Sequence, residues 1–170
     1  FFEVSKRFIG YSEFIFTAIG ANKKQQLFYK KKYPNVDILC KMERKNLINY
    51  LDESILMIVP SKTIFKNDLN GIKSLISVPW SEQFGRIIIE SYSRGVNVIA
   101  YDSGAISEYI YDKNLLVSEG KVDLLKQSIN KYLKEKTYLN QQHRKNIHSY
   151  SKKFTWTLVF QRFLKIKNGF

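Results

Sequence analysis

Five short runs of apolar, strand-favouring residues alternate along this chain with segments that carry the 3.6-residue periodicity of a helix. The strand runs cover residues 14–20, 36–41, 55–59, 96–101 and 114–117. Helices are predicted over 1–12, 23–32 (with Asn22 as the cap), 44–51, 84–94, 106–109, 122–133, 136–149 and 155–165. Strands separated by helices pair in parallel through crossovers, so the expected architecture is α/β: a doubly wound parallel sheet with helices on both faces and further helices at the C-terminal end. Sheets of this kind bind ligands beyond the carboxyl ends of their strands, and Gly20, Ser61, Glu82, Ser103 and Gly104 all fall there.

A chain of 170 residues suits a single domain able to bury about 70% of its unfolded surface. With 44% apolar and 15% aromatic residues it has the composition of a globule and not of a disordered tail. Its one cysteine, Cys40, lies in an apolar run and is expected to be a buried, inert thiol in a reducing compartment. No run of 18 apolar residues occurs, which excludes a helical membrane span read from hydropathy. His143 and His148 stand without a cysteine or carboxylate constellation, so no metal site is assigned. The net charge of +13 comes from 22 lysines and six arginines against 15 acidic residues. Lys23, Lys24, Lys30, Lys31 and Lys32 cluster on one predicted helix, and a second group gathers near the C-terminus. A solvated basic face is the plain reading; an anionic membrane surface is the alternative partner, with nucleic acid behind it.

The densest chemical signal lies in residues 80–108. Here Phe84, Ile88, Ser91 and Gly95 fall on one helical face, and Gly95 takes the place of a left-handed C-terminal cap. Backbone amides at Phe84, Gly85 and Arg86, with the positive end of the helix dipole, suit a phosphate or pyrophosphate, and Gly85 permits close approach. Glu82 precedes this helix, whereas Glu90 stands about two turns along it, roughly 8 Å deeper. A carboxylate in the second position can accept both hydroxyls of a ribose, and one in the first can hold a sugar hydroxyl. The ligand so described is a nucleotide diphosphate sugar.

These residues resemble the donor-binding half of family 4 glycosyltransferases of the GT-B fold. Its motif is matched by Pro60-Ser61, Trp80-Ser81-Glu82-Gln83-Phe84-Gly85, Glu90, Gly95, Val98-Ile99-Ala100, Gly104 and Glu108, with weaker likeness over residues 1–160. The resemblance implies a Rossmann-like domain of a retaining, metal-independent enzyme. Such an enzyme moves a hexose from a UDP- or GDP-sugar to a glycan or lipid-linked acceptor, as in cell-surface polysaccharide or glycolipid synthesis. It also implies roles: Glu82, the catalytic candidate, on donor-sugar hydroxyls, Glu90 on the ribose, and amides around Phe84, Gly85, Ser103, Gly104 and Ala105 on sugar and phosphates. Arg86 is the candidate to neutralise part of the diphosphate.

Two departures from the family pattern carry expectations of their own. The family's first strand, with its basic pair, has no counterpart here, so the chain is expected to be a piece of a longer protein that also holds an N-terminal acceptor domain, and its sheet is expected to have a hole. Residues 62–79 separate Pro60-Ser61 from the motif and are expected to form an inserted loop over the site. The expected location is the cytoplasm, peripheral to the cytoplasmic face of a membrane. The competing functions are a non-catalytic binding module of the same fold and a basic nucleic-acid-binding α/β domain.

Overall fold

A computed structural model describes residues 1–10, 14–69, 72–83, 85–135, 138, 140–155, 157–158, 161 and 164. The chain opens with α1 (Phe2–Ser5) and a 3₁₀ turn at Lys6–Phe8, shorter than the helix expected over 1–12. Ile9 is already extended, and Gly10 has a left-handed φ of 95°, which ends the helix there. Tyr11 lies outside the described residues.

Next come β1 (Phe16–Ala21), α2 (Lys23–Lys32) and β2 (Val36–Cys40), and the two strands pair in parallel with Phe16 opposite Val36. Asn22 caps α2 through a reciprocal box: its side chain accepts the Gln25 amide at 2.8 Å while Gln25 Oε1 accepts the Asn22 amide at 3.0 Å. A cap of this kind is worth about 1 kcal/mol to a helix. Cys40 is only half-buried, its thiol donating to Gln26 Oε1 at 3.4 Å, because it ends the strand at the rim of the sheet.

After α3 (Arg44–Glu53), β3 (Leu56–Val59) pairs in parallel with β6 (Asn97–Asp102), which pairs in parallel with β7 (Leu116–Ser118). Alternation along β6 sends its side chains to two cores. Val98 and Ala100 pack with Ile88 and Tyr92 of α4 (Arg86–Ser93) and Ile147 of α7 (Gln141–Ser151). Ile99 and Tyr101 pack on the other side with Leu125, Ile129 and Tyr132 of α6 (Val122–Lys134). Fully burying a side chain such as Leu125 contributes about 1.5–3 kcal/mol. The expected Rossmann-like doubly wound layering is therefore present, with helices over both faces.

The sheet is not continuous. Strands β1 and β2 form one piece and β3, β6 and β7 another. A cavity of about 680 Å³ lies between the pieces, lined by Phe16, Ala18, Met42, Leu56, Ile58 and Ile129 among others.

Residues 62–79 are not a loop. They hold an antiparallel hairpin, β4 (Ile64–Leu69) and β5 (Ile72–Trp80), in a separate two-stranded sheet. The Asn70-Gly71 pair between the strands is the sequence signal that announces such a hairpin. α4 begins two residues later than expected because Gly85, at φ 52° and ψ 50°, is left-handed and stands at the cap. At its other end Gly95 closes the helix as expected: its amide bonds to Tyr92, and that of Val96 to Ser91. The helix expected over 136–149 is α7, which starts where Asn140 accepts the His143 amide at 2.7 Å. Between β6 and β7 lies the short α5 (Ile106–Tyr109). In the segment expected as the last helix, Trp156, Val159, Phe160 and Phe163 lie outside the described residues.

Candidate functional site at the strand ends

Three parallel strands, β3, β6 and β7, deliver their carboxyl ends to one place, and the segments leaving them are tied together. From β6 the chain runs into Ser103-Gly104-Ala105, where the Ala105 amide donates to the backbone carbonyl of Glu82 at 2.9 Å. A Cβ on Gly104 would sit 2.3 Å from that same carbonyl oxygen, and the residue has a φ of +59°. Only glycine fits both conditions. The motif glycine and the first motif glutamate are thus in backbone contact across the site.

The Glu82 side chain turns toward α4. Its Oε1 accepts the Gly85 amide at 3.0 Å, an acidic group placed against a helix N-terminus, where the macrodipole favours it. This corrects one expectation: neither the Gly85 amide nor that of Ala105 is open to a ligand in this state, since both are engaged by Glu82. Arg86, the first residue of α4, is exposed. Phe84 lies outside the described residues.

Glu90 stands further along α4 and is half-buried. Its Oε1 pairs with Arg44 Nη2 at 3.2 Å, Arg44 being the first residue of α3 and largely exposed. No pattern in the sequence announces this partner, because Arg44 and Glu90 meet only in the folded chain. Glu90 therefore meets an exposed guanidinium at the rim, with the geometry to trade that partner for hydroxyl donors.

Ser103 is buried at 3% exposure. Its hydroxyl is 3.3 Å from Thr63 Oγ1, and Glu119, just beyond β7, accepts the Thr63 amide at 2.8 Å and the Thr63 hydroxyl at 3.0 Å. The Thr63 amide, then the Ser103 hydroxyl, hold the Glu119 carboxyl below its ordinary value. Glu119 thereby fastens the segment after β3 and the start of the β6 loop to the end of β7, a role that sequence reasoning missed. Ser61 lies in that fastened segment, two residues before Thr63, and is half-buried. Gly20 lies on the other piece of the sheet, at the carboxyl end of β1, with a left-handed φ of 113° beside a register shift between Ile19 and Ala21.

Among the described residues no group of three or more His, Cys, Asp or Glu side chains is arranged to hold a metal ion. His143 serves the fold: its Nε2 is 3.1 Å from Asn97 Nδ2, and burial lowers its pKa. Among the described residues no helix is long and apolar enough to cross a membrane.

No curated protein matches the sequence. Among solved structures, the fold is similar to sucrose-phosphate synthase from Thermosynechococcus elongatus, with a TM-score of 0.65 at 14% identity. The match covers 98% of this chain and 41% of that one, so the chain spans about two-fifths of the length of that structure. At this identity the likeness speaks for the fold alone. The sequence itself settles the family: residues 8–154 match the family described as glycosyl transferases group 1, and the chain belongs to that family.

Proposed function

We propose that this chain is the donor-binding domain of a retaining hexosyltransferase that uses a UDP- or GDP-sugar and a glycan or lipid-linked acceptor. Family membership supports glycosyl transfer in general. The observation that carries the finer reading is the placement of the two motif carboxylates about α4: Glu82 before the helix, against its start and in backbone contact with the Gly104 loop, and Glu90 within the helix. In this reading the hexose meets Glu82 and the ribose diol meets Glu90, which releases Arg44. The diphosphate lies at the start of α4, near Arg86 and the amides past Gly85. Departure of the nucleoside diphosphate then draws on the helix dipole and fixed donors aimed at developing charge, with no metal required.

The proposal includes a second domain of the same protein, which supplies the acceptor wall of the cleft, and one more parallel strand between β1 and β3. Two facts support the strand: the sheet is split there, and the cavity between the pieces is lined by apolar side chains from both edges. Calorimetry of the full-length protein with UDP-, GDP-, ADP- and CMP-hexoses tests the donor assignment. Binding of a UDP- or GDP-sugar well above the others is the expected result; no affinity for any of them overturns it. Donor binding with no transfer to any glycan or lipid acceptor would identify the non-catalytic module instead.

A further inference from the structure

Helix α2 has the sequence Lys-Lys-Gln-Gln-Leu-Phe-Tyr-Lys-Lys-Lys and carries no acidic residue. Residues four apart on a helix lie one above the other, so two adjacent rows run along it: Lys23–Leu27–Lys31 and Lys24–Phe28–Lys32. Every side chain in both rows is exposed, Leu27 at 73% and Phe28 at 60%. The opposite side of the helix is fastened to the fold. There Gln26 Nε2 donates to the Ile38 carbonyl at 2.6 Å, and the Tyr29 ring stacks on Phe2 with centroids 4.8 Å apart. The Asn22 capping box holds the first turn, so the rows project from a fixed support. A single exposed leucine is ordinary. Two neighbouring large apolar side chains, each bracketed by lysines on the turn before and the turn after, form a patterned surface.

We propose that this face of α2 docks on an anionic lipid bilayer. The helix lies flat in the interface, Leu27 and Phe28 enter the boundary of the acyl region, and Lys23, Lys24, Lys31 and Lys32 reach the lipid phosphates while their stems cover apolar surface. Charge complementarity selects an anionic partner. The apolar pair selects a bilayer over nucleic acid, because a phosphodiester backbone offers Leu27 and Phe28 no apolar phase to enter. Four lysines and two short insertions give reversible, salt-sensitive attachment and not a permanent anchor.

Co-sedimentation of the full-length protein with phosphatidylcholine vesicles, with and without phosphatidylglycerol, tests this. Binding is expected only to the anionic vesicles, weakening about five-fold for each of Lys24→Gln and Lys31→Gln. Leu27→Ser with Phe28→Ser should also abolish sedimentation while the circular dichroism spectrum of the folded protein is retained, since both positions are exposed. Equal binding to neutral vesicles overturns the proposal, as does vesicle binding unaffected by the Leu27/Phe28 pair. So does binding to an oligonucleotide with none to the vesicles, which would make α2 a nucleic-acid surface.

Discussion

At Gly104 a methyl group would lie 2.3 Å from the Glu82 carbonyl oxygen, with the backbone at a φ of +59°. Gly104→Ala must therefore part the two loops or strain the residue, at a cost of about 1–3 kcal/mol. Urea denaturation should show that loss, and nucleotide-sugar affinity should fall with it; a variant as stable as the parent would mean the loops are free to separate. The two glutamates should separate by ligand. Glu90→Ala removes the carboxylate proposed for the ribose, so free UDP or GDP and the nucleotide sugar should weaken together, by roughly 1.5–3 kcal/mol for each charge-assisted hydrogen bond lost. Glu82→Gln should leave the free nucleotide nearly unchanged while affinity for the nucleotide sugar and turnover fall. Calorimetry on both variants decides it, and equal loss of UDP or GDP binding would remove the division of roles. Glu82→Gln keeps an oxygen that can accept the Gly85 amide, so the helix start should survive the change.

The elements β3, β6 and β7 are joined at their ends by Glu119, whose carboxylate binds Thr63 from 56 residues away. Its folded-state pKa lies below the ordinary 4.5, so its contribution to stability is complete above that value and is lost as the pH falls through the lower folded-state value. Thermal melts should accordingly show the parent losing more stability than Glu119→Gln between about pH 5 and pH 3, with the two curves converging at the acid end. Parallel curves would mean that the carboxylate adds nothing the amide cannot. Such a residue was not legible beforehand, because periodicity reports a residue's own element and nothing about a partner brought in by folding; Arg44 opposite Glu90 was hidden for the same reason. What periodicity did place was the parallel strands and most helices, since apolar runs such as Val96 to Tyr101 can be buried on both faces only as a central strand. Helix α4 starts at Arg86 and not at 84 because Gly85 is left-handed, a backbone property that does not show in the spacing of apolar residues. The hairpin in 62–79 is signalled in the sequence by Asn70-Gly71 and not by the length of the segment.

For the whole molecule, the split sheet bears on what the 170 residues can do by themselves. Strands β1 and β3 each have an edge on the cavity side, and in a parallel strand alternate amides point to each side. If a strand of a longer polypeptide fills the cavity, hydrogen exchange should show alternate amides of β1 and β3 protected in that polypeptide and unprotected in the 170-residue chain. Transfer should follow the same division. Holding two oriented substrates together lowers a barrier by about 7–11 kcal/mol, and a cleft needs two walls to do so. Under the proposed reading this chain supplies one wall, with the carboxylates assigned to the donor but without an assigned acceptor site. The isolated chain is therefore expected to bind a UDP- or GDP-sugar and to transfer nothing. A radiolabelled donor assay with the fragment alone checks this, and acceptor-dependent labelling above the buffer control would show that the site is complete within these residues. The same assay on the full-length protein, run with and without EDTA, checks the proposed metal-free mechanism, and loss of labelling in EDTA would show that a metal takes part.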